Sequence, residues 1–145
     1  MLIIQISKNA TEQKLRNCVT KVMRNDTLLK ELRPIIYSED KTKTEIEKFQ
    51  NEVLRPILKF QHSILEIEIK NNLLIEKVLK QIHTAERKRS LIKGIISKTE
   101  VKYQLLGQIT GLLTKAEYQI YFSNKKEIDK RIVAMLLDRI LSIYY

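Results

Sequence analysis

Tryptophan is missing from this 145-residue chain, and glycine (3), proline (2), histidine (2) and cysteine (1) are scarce. Three glycines and two prolines are too few for an all-β fold with many tight turns. None of the glycines stands between a strand and a helix, so no phosphate-cradling loop is expected. A single cysteine, Cys18, cannot close an internal disulfide, which favours a reducing compartment such as the cytoplasm. It falls on the apolar face of an amphipathic stretch and reads as a small buried hydrophobe. With no histidine near it in sequence, it does not read as a nucleophile.

One cysteine and two histidines cannot make a structural zinc site unaided. His62–Glu66 and His83–Glu86 are each one helical turn apart. The second runs opposite to the Glu-x-x-His order of di-iron bundles, and no other carboxylates have matching spacing. No catalytic residue, metal or cofactor is therefore expected. The opening MLIIQISKN has too short an apolar run for a secretory signal. Residues 103–122, the most apolar region, carry Gln104, Gln108, Lys115, Glu117 and Gln119. A membrane span needs about 20 nearly uncharged residues, so no integral membrane contact is expected.

What the chain has in quantity is helix-forming Leu, Ile, Lys and Glu. From Ile46 onward Phe49, Val53, Ile57, Phe60, Ile64, Ile67, Leu74, Val78, Ile82 and Ala85 recur at steps of three or four, with Asn71 as a polar member. A second row, Leu54, Leu58, Leu65, Ile69 and Leu73, widens this face toward bundle packing. The reading is one all-α domain over 1–145, a bundle of four to six helices. Residues 1–37 form an N-terminal arm and short helices, 42–93 a long central helix or helical hairpin, and 97–145 a C-terminal helical pair. Thr42 with Glu45 and Ser97 with Glu100 read as capping boxes, and Lys93-Gly94 as a helix end. Pro56 predicts a kink near Glu52. Asn71-Asn72 is either a register residue within a coiled coil or a turn with Asn72 as a cap, and compactness favours the turn.

At the N-terminus, Met1–Ser7 alternates like a short strand or arm, and Asn9 with Glu12 opens a helix burying Leu15, Cys18, Val19, Val22 and Met23. Arg24–Thr27 reads as a turn, with Thr27 capping a short helix that Pro34 stops. Strand, helix, turn and helix at these lengths resemble a ribbon-helix-helix module, whose paired strands enter the DNA major groove. Departing from that pattern, the outward positions Ile3, Gln5 and Ser7 carry no basic side chain and the turn has no glycine.

The net charge is +10 and unevenly spread. Residues 1–33 carry +4, residues 34–83 are neutral, and residues 84–145 carry +6. Such a field favours polyanions. The candidate nucleic-acid-binding residues are Arg87, Lys88, Arg89, Lys93, Lys98 and Lys102, which could meet phosphates, with Tyr103 placed to stack on a base. A second candidate patch is Lys125, Lys126, Lys130 and Arg131, whose cations crowd the first turns of the last helix against the helix dipole. The functional expectation is a non-catalytic protein binding DNA or RNA with low sequence specificity, as an accessory factor or a subunit of a nucleoprotein complex. Surplus apolar positions such as Leu73-Leu74 point to a homodimer or a larger assembly. The alternative is a coiled-coil adaptor that binds a partner helix without nucleic acid.

Overall fold

A computed structural model describes residues 24–37, 41 and 44–143, and among these every regular element is helical. The forecast strand over Met1–Ser7, the helix from Asn9 with Cys18 on it, and the Thr42 cap lie outside the described residues.

Helix α1 (Asp26–Glu31) is capped by Asn25, whose side chain accepts the Leu28 amide, and not by the expected Thr27. Helix α2 (Glu45–Phe49) begins at Thr44, whose hydroxyl accepts the Glu47 amide at 3.1 Å. It passes without a loop into a π-helical turn (Gln50–Leu54) and then α3 (Arg55–Phe60). This is how the chain accommodates Pro56. Proline cannot donate to the carbonyl four residues back and crowds it. Here the Arg55 amide reaches back five residues to the Gln50 carbonyl, and Pro56 falls in the first turn of α3, where a missing amide hydrogen costs least.

One central helix over 42–93 is not what forms. Gln61 breaks the run with ψ near 1°. Helix α4 (His62–Asn71) then ends at Asn72, which has ψ 103° and caps α5 (Leu73–Gln81). The Asn72 side-chain oxygen accepts the amides of Leu74 at 3.1 Å and Ile75 at 3.2 Å, so the turn reading holds. Ile82–Thr84 separates α5 from α6 (Ala85–Ile96). The expected end at Gly94 is also corrected: α6 runs through it and stops at Ser97.

The two apolar rows are not buried alike. Up to Ile57 the expected stripe faces inward, with Phe49 and Ile57 in the core. From Phe60 onward it faces outward, leaving Phe60, Ile64, Ile67 and Leu74 between 40% and 59% exposed. The second row is buried throughout from Leu54 through Leu58 and Leu65 to Ile69, although Leu73 is exposed. Both rows have the period of 3.6, so either could face a core.

The C-terminal region holds three helices, not a pair. Helix α7 (Thr99–Thr110) starts at Lys98 without a side-chain cap, so the Ser97–Glu100 box does not form. The missed box is Thr114–Glu117, which opens α8 (Lys115–Ser123). Helix α9 (Lys125–Ser142) follows directly after Asn124 and is the helix the others pack around. Its Ile128, Ile132, Leu136, Leu137 and Ile140 are buried with Leu54, Ile57, Ile92, Ile96 and Ile109, in one core cluster that draws on every element from α2 to α9. Each such side chain contributes about 1.5–3 kcal/mol by leaving water.

The α1 region clasps the α7–α8 connection. Arg24 donates to the carbonyls of Gly111 at 2.6 Å and Leu113 at 2.7 Å, Asp26 accepts the Lys115 amide, and Arg33 meets Glu117. This fixes where α7 ends and α8 begins, and so the position of α7 against α9.

Candidate nucleic-acid interface

Helices α6 and α9 run antiparallel. Arg89 near the start of α6 pairs with Asp138 near the end of α9 at 2.7 Å, while Ser97, just past α6, borders a cleft with Lys126, Lys130 and Val133 of α9. Helix α7 supplies the other wall with Lys102 and Tyr103. The cleft encloses about 460 Å³. Parts of the two basic segments, more than twenty positions apart in sequence, thus meet around one concavity.

Its floor is rigidly paired. The buried Asp129 carboxylate accepts the Tyr121 hydroxyl at 2.7 Å and the Lys125 ammonium at 2.7 Å. Lys125 also donates to the Tyr121 oxygen at 3.0 Å. The hydrogen bonds to Asp129 and Tyr121 raise the Lys125 pKa well above its ordinary value, so it keeps its charge. Burial, followed by the Asp129 hydrogen bond and charge, pushes the Tyr121 phenol up, with Lys125 opposing. Tyr103 is 57% exposed, and two ammonium groups sit near its ring: Lys125 at 5.8 Å and Lys102 at 6.0 Å from the centroid.

Above this floor Lys126 and Lys130, one turn apart on α9, are exposed and without an ion-pair partner among the described residues. The cleft therefore sets four lysines against a single carboxylate that Lys125 and Tyr121 already hold. Such an arrangement has the charge to attract an anion beside an aromatic face.

Other predicted residues lie apart or are otherwise engaged. Arg87 and Lys88 stand near the start of α6, about 15 Å along the chain axis from Ser97 at 1.5 Å per residue. Lys93 is exposed in the last turn of α6, and Lys98 is exposed next to Ser97 in sequence. Arg89 is paired with Asp138. Arg131 is half-buried and engaged, donating to Gln50 of the π-helical turn at 2.8 Å and to Glu127 at 3.1 Å, and so ties α9 to that turn. The roles of Asp129, Tyr121 and Ser97 were not foreseen. Lys125 and Asp129 at a spacing of four was the available signal for the pair.

Among the described residues no helix is long and apolar enough to cross a membrane, and no three His, Cys, Asp or Glu side chains converge as metal ligands. His62 instead meets Arg139. Set against protein-family models, curated proteins and solved structures, the chain matches none.

Proposed function

We propose that the chain is a non-catalytic nucleic-acid-binding protein whose cleft between α7 and α9 grips backbone phosphates. The observation that carries this reading is the meeting of Lys102 and Tyr103 with Lys125, Lys126 and Lys130 around one concavity. Lysine ammonium groups bind phosphates as point charges with little demand on base identity, so low sequence specificity is expected. An exposed tyrosine ring flanked by cations suits an unpaired base, which favours single strands over duplex. The protein would act as an accessory factor or as a subunit of a nucleoprotein complex.

Fluorescence anisotropy with single- and double-stranded oligonucleotides at about 50 and 200 mM salt tests the reading, since phosphate contacts release counterions and weaken steeply with salt. Tight, salt-steep binding supports it. Absence of binding at the lower salt sinks it.

One observation favours a second reading, an adaptor that receives a partner helix or a second copy: the outward row of Phe60, Ile64, Ile67 and Leu74. Apolar pairing there would respond little to salt, which separates the two functions.

A further inference from the structure

A second pocket, of about 420 Å³, opens between α3 and α9. Each residue turns a helix by about 100°, which puts Met135, Arg139 and Ser142 of this pocket on the side of α9 opposite Lys126, Lys130 and Val133. Three cations line it: Arg55 and Lys59, one turn apart on α3, and Arg139. None has a carboxylate partner among the described residues. The one acidic residue at the pocket, Asp138, is taken by Arg89 at 2.7 Å.

Arg139 is the informative member. Its side chain is half-buried, and burial lowers its pKa. A guanidinium withdrawn from water is ordinarily matched by a carboxylate or a phosphate. Arg139 instead meets a ring nitrogen, its Nη1 lying 3.2 Å from the His62 Nδ1. Its other N–H donors have no partner among the described residues, and they form the flat fork that fits two oxygens of one phosphate.

We propose that this pocket is a phosphate-binding site separate from the Tyr103 cleft. Arg139 makes the two-pronged contact and Arg55 and Lys59 balance the remaining charge. The recognised chemistry is a phosphate oxyanion, whether on a small phosphorylated molecule or in a nucleic-acid backbone.

Titration of the full chain with pyrophosphate, followed by NMR of the Arg139 side-chain N–H and the backbone amides, tests the proposal. The expected result is saturable shifts at Arg139, residues 55–59 and 138–142. Arg139→Gln is expected to weaken binding about ten- to a hundredfold, the usual loss for a hydrogen bond to a charged group. Because Arg139 also touches His62, the double variant Arg55→Gln/Lys59→Gln, changed only at exposed positions, gives an independent readout and is expected to weaken binding without changing the melting temperature. Lys126→Gln/Lys130→Gln should leave the pyrophosphate shifts at Arg139 unchanged, whatever it does to shifts around the cleft. No shift at Arg139 with tens of millimolar pyrophosphate, or shifts confined to residues 97–103 and 125–133, would overturn the site. A single-stranded oligonucleotide that displaces pyrophosphate from Arg139 identifies backbone phosphate as the source, and one that leaves it bound identifies a small phosphorylated molecule. The Arg139 signals report on this pocket alone, so failure of the nucleic-acid reading at the cleft is seen separately.

Discussion

Arg33 and Glu117, 84 residues apart, form a two-point ion pair, with Nη1 to Oε1 at 2.8 Å and Nη2 to Oε2 at 2.7 Å. Their side chains are only 9% and 11% exposed, and Arg33 also donates to the Leu112 carbonyl at 3.0 Å. The pair ties the segment after α1 to the cap of α8. Removing one member of a buried pair strands the other, at a typical cost of about 3–5 kcal/mol, whereas replacing both with apolar groups is often near neutral. Arg33→Met and Glu117→Leu are each expected to destabilise by a value of that order, and the double variant to lie closer to the parent than either single. Urea melts of the four proteins check it.

The same pair sets an acid limb of stability. Burial raises the Glu117 pKa, but hydrogen bonds from Arg33 and the Thr114 amide, with the Arg33 charge, outweigh it and hold the carboxyl below its ordinary 4.5. A carboxyl lowered on folding stabilises the folded state above its unfolded pKa, and this stabilisation is lost as pH falls through the lower folded value. Unfolding free energy should therefore drop as pH is taken below about 4.5, and Glu117→Gln should flatten that drop. Thermal melts from pH 7 to pH 3 measure both.

Helix class was legible because periodicity and composition act locally, and Ile128, Ile132, Leu136 and Ile140 of α9 fell on the face expected of them. The choice between two equally apolar rows was not legible. Phe60, Ile64 and Ile67 repeat as regularly as Leu58, Leu65 and Ile69, and only the packing of the other helices decides which row is buried. Cap assignments failed where several Thr, Ser and Asn compete within a few residues. Asn25 serves where Thr27 was read, and the box forms at Thr114 and not at Ser97. The lysines of the cleft could be named from charge runs. Their meeting depends on α7 folding back across α9, and the loss of Arg131 to Gln50 depends on a contact 81 residues away.

Lys126 and Lys130 are the cleft's exposed lysines that have no ion-pair partner among the described residues. On single strands each phosphate contact contributes about 0.7 to the slope of log affinity against log salt. Lys126→Gln/Lys130→Gln should reduce that slope by about 1.4, while Arg89→Gln, which removes a cation already paired with Asp138, should leave it nearly unchanged. Anisotropy titrations over a salt series supply the slopes, and equal slopes for both variants would move the interface elsewhere.

Tyr103 offers a ring to a base and a hydroxyl that has no hydrogen-bond partner among the described residues. Base stacking on an aromatic residue is worth about 1–3 kcal/mol. Tyr103→Leu is expected to weaken single-strand binding by about five- to 150-fold at unchanged fold, and Tyr103→Phe to retain it. Duplex binding should respond to neither change. Equal losses on single and double strands would mean that the ring supports the cleft wall and does not stack.

Gly94 and Gly111 separate a helix interior from a tight helix exit. Gly94 lies inside α6 without positive φ, and a methyl group there would meet nothing within 4 Å. Gly94→Ala should therefore stabilise by about 0.5–1 kcal/mol, since glycine in a helix loses more backbone freedom on folding than alanine does. At Gly111 a Cβ would come within 2.8 Å of the Gly107 carbonyl oxygen, the acceptor of the Gly111 amide at 2.9 Å. That oxygen is backbone and cannot swing aside, and the Gly111 carbonyl is itself held by Arg24 at 2.6 Å. Gly111→Ala must then shift the α7 exit that Arg24 clasps, and should destabilise. Paired urea melts that show opposite signs fit a helix running through Gly94. A loss of stability at Gly94 would restore the helix end that the Lys93-Gly94 step suggests.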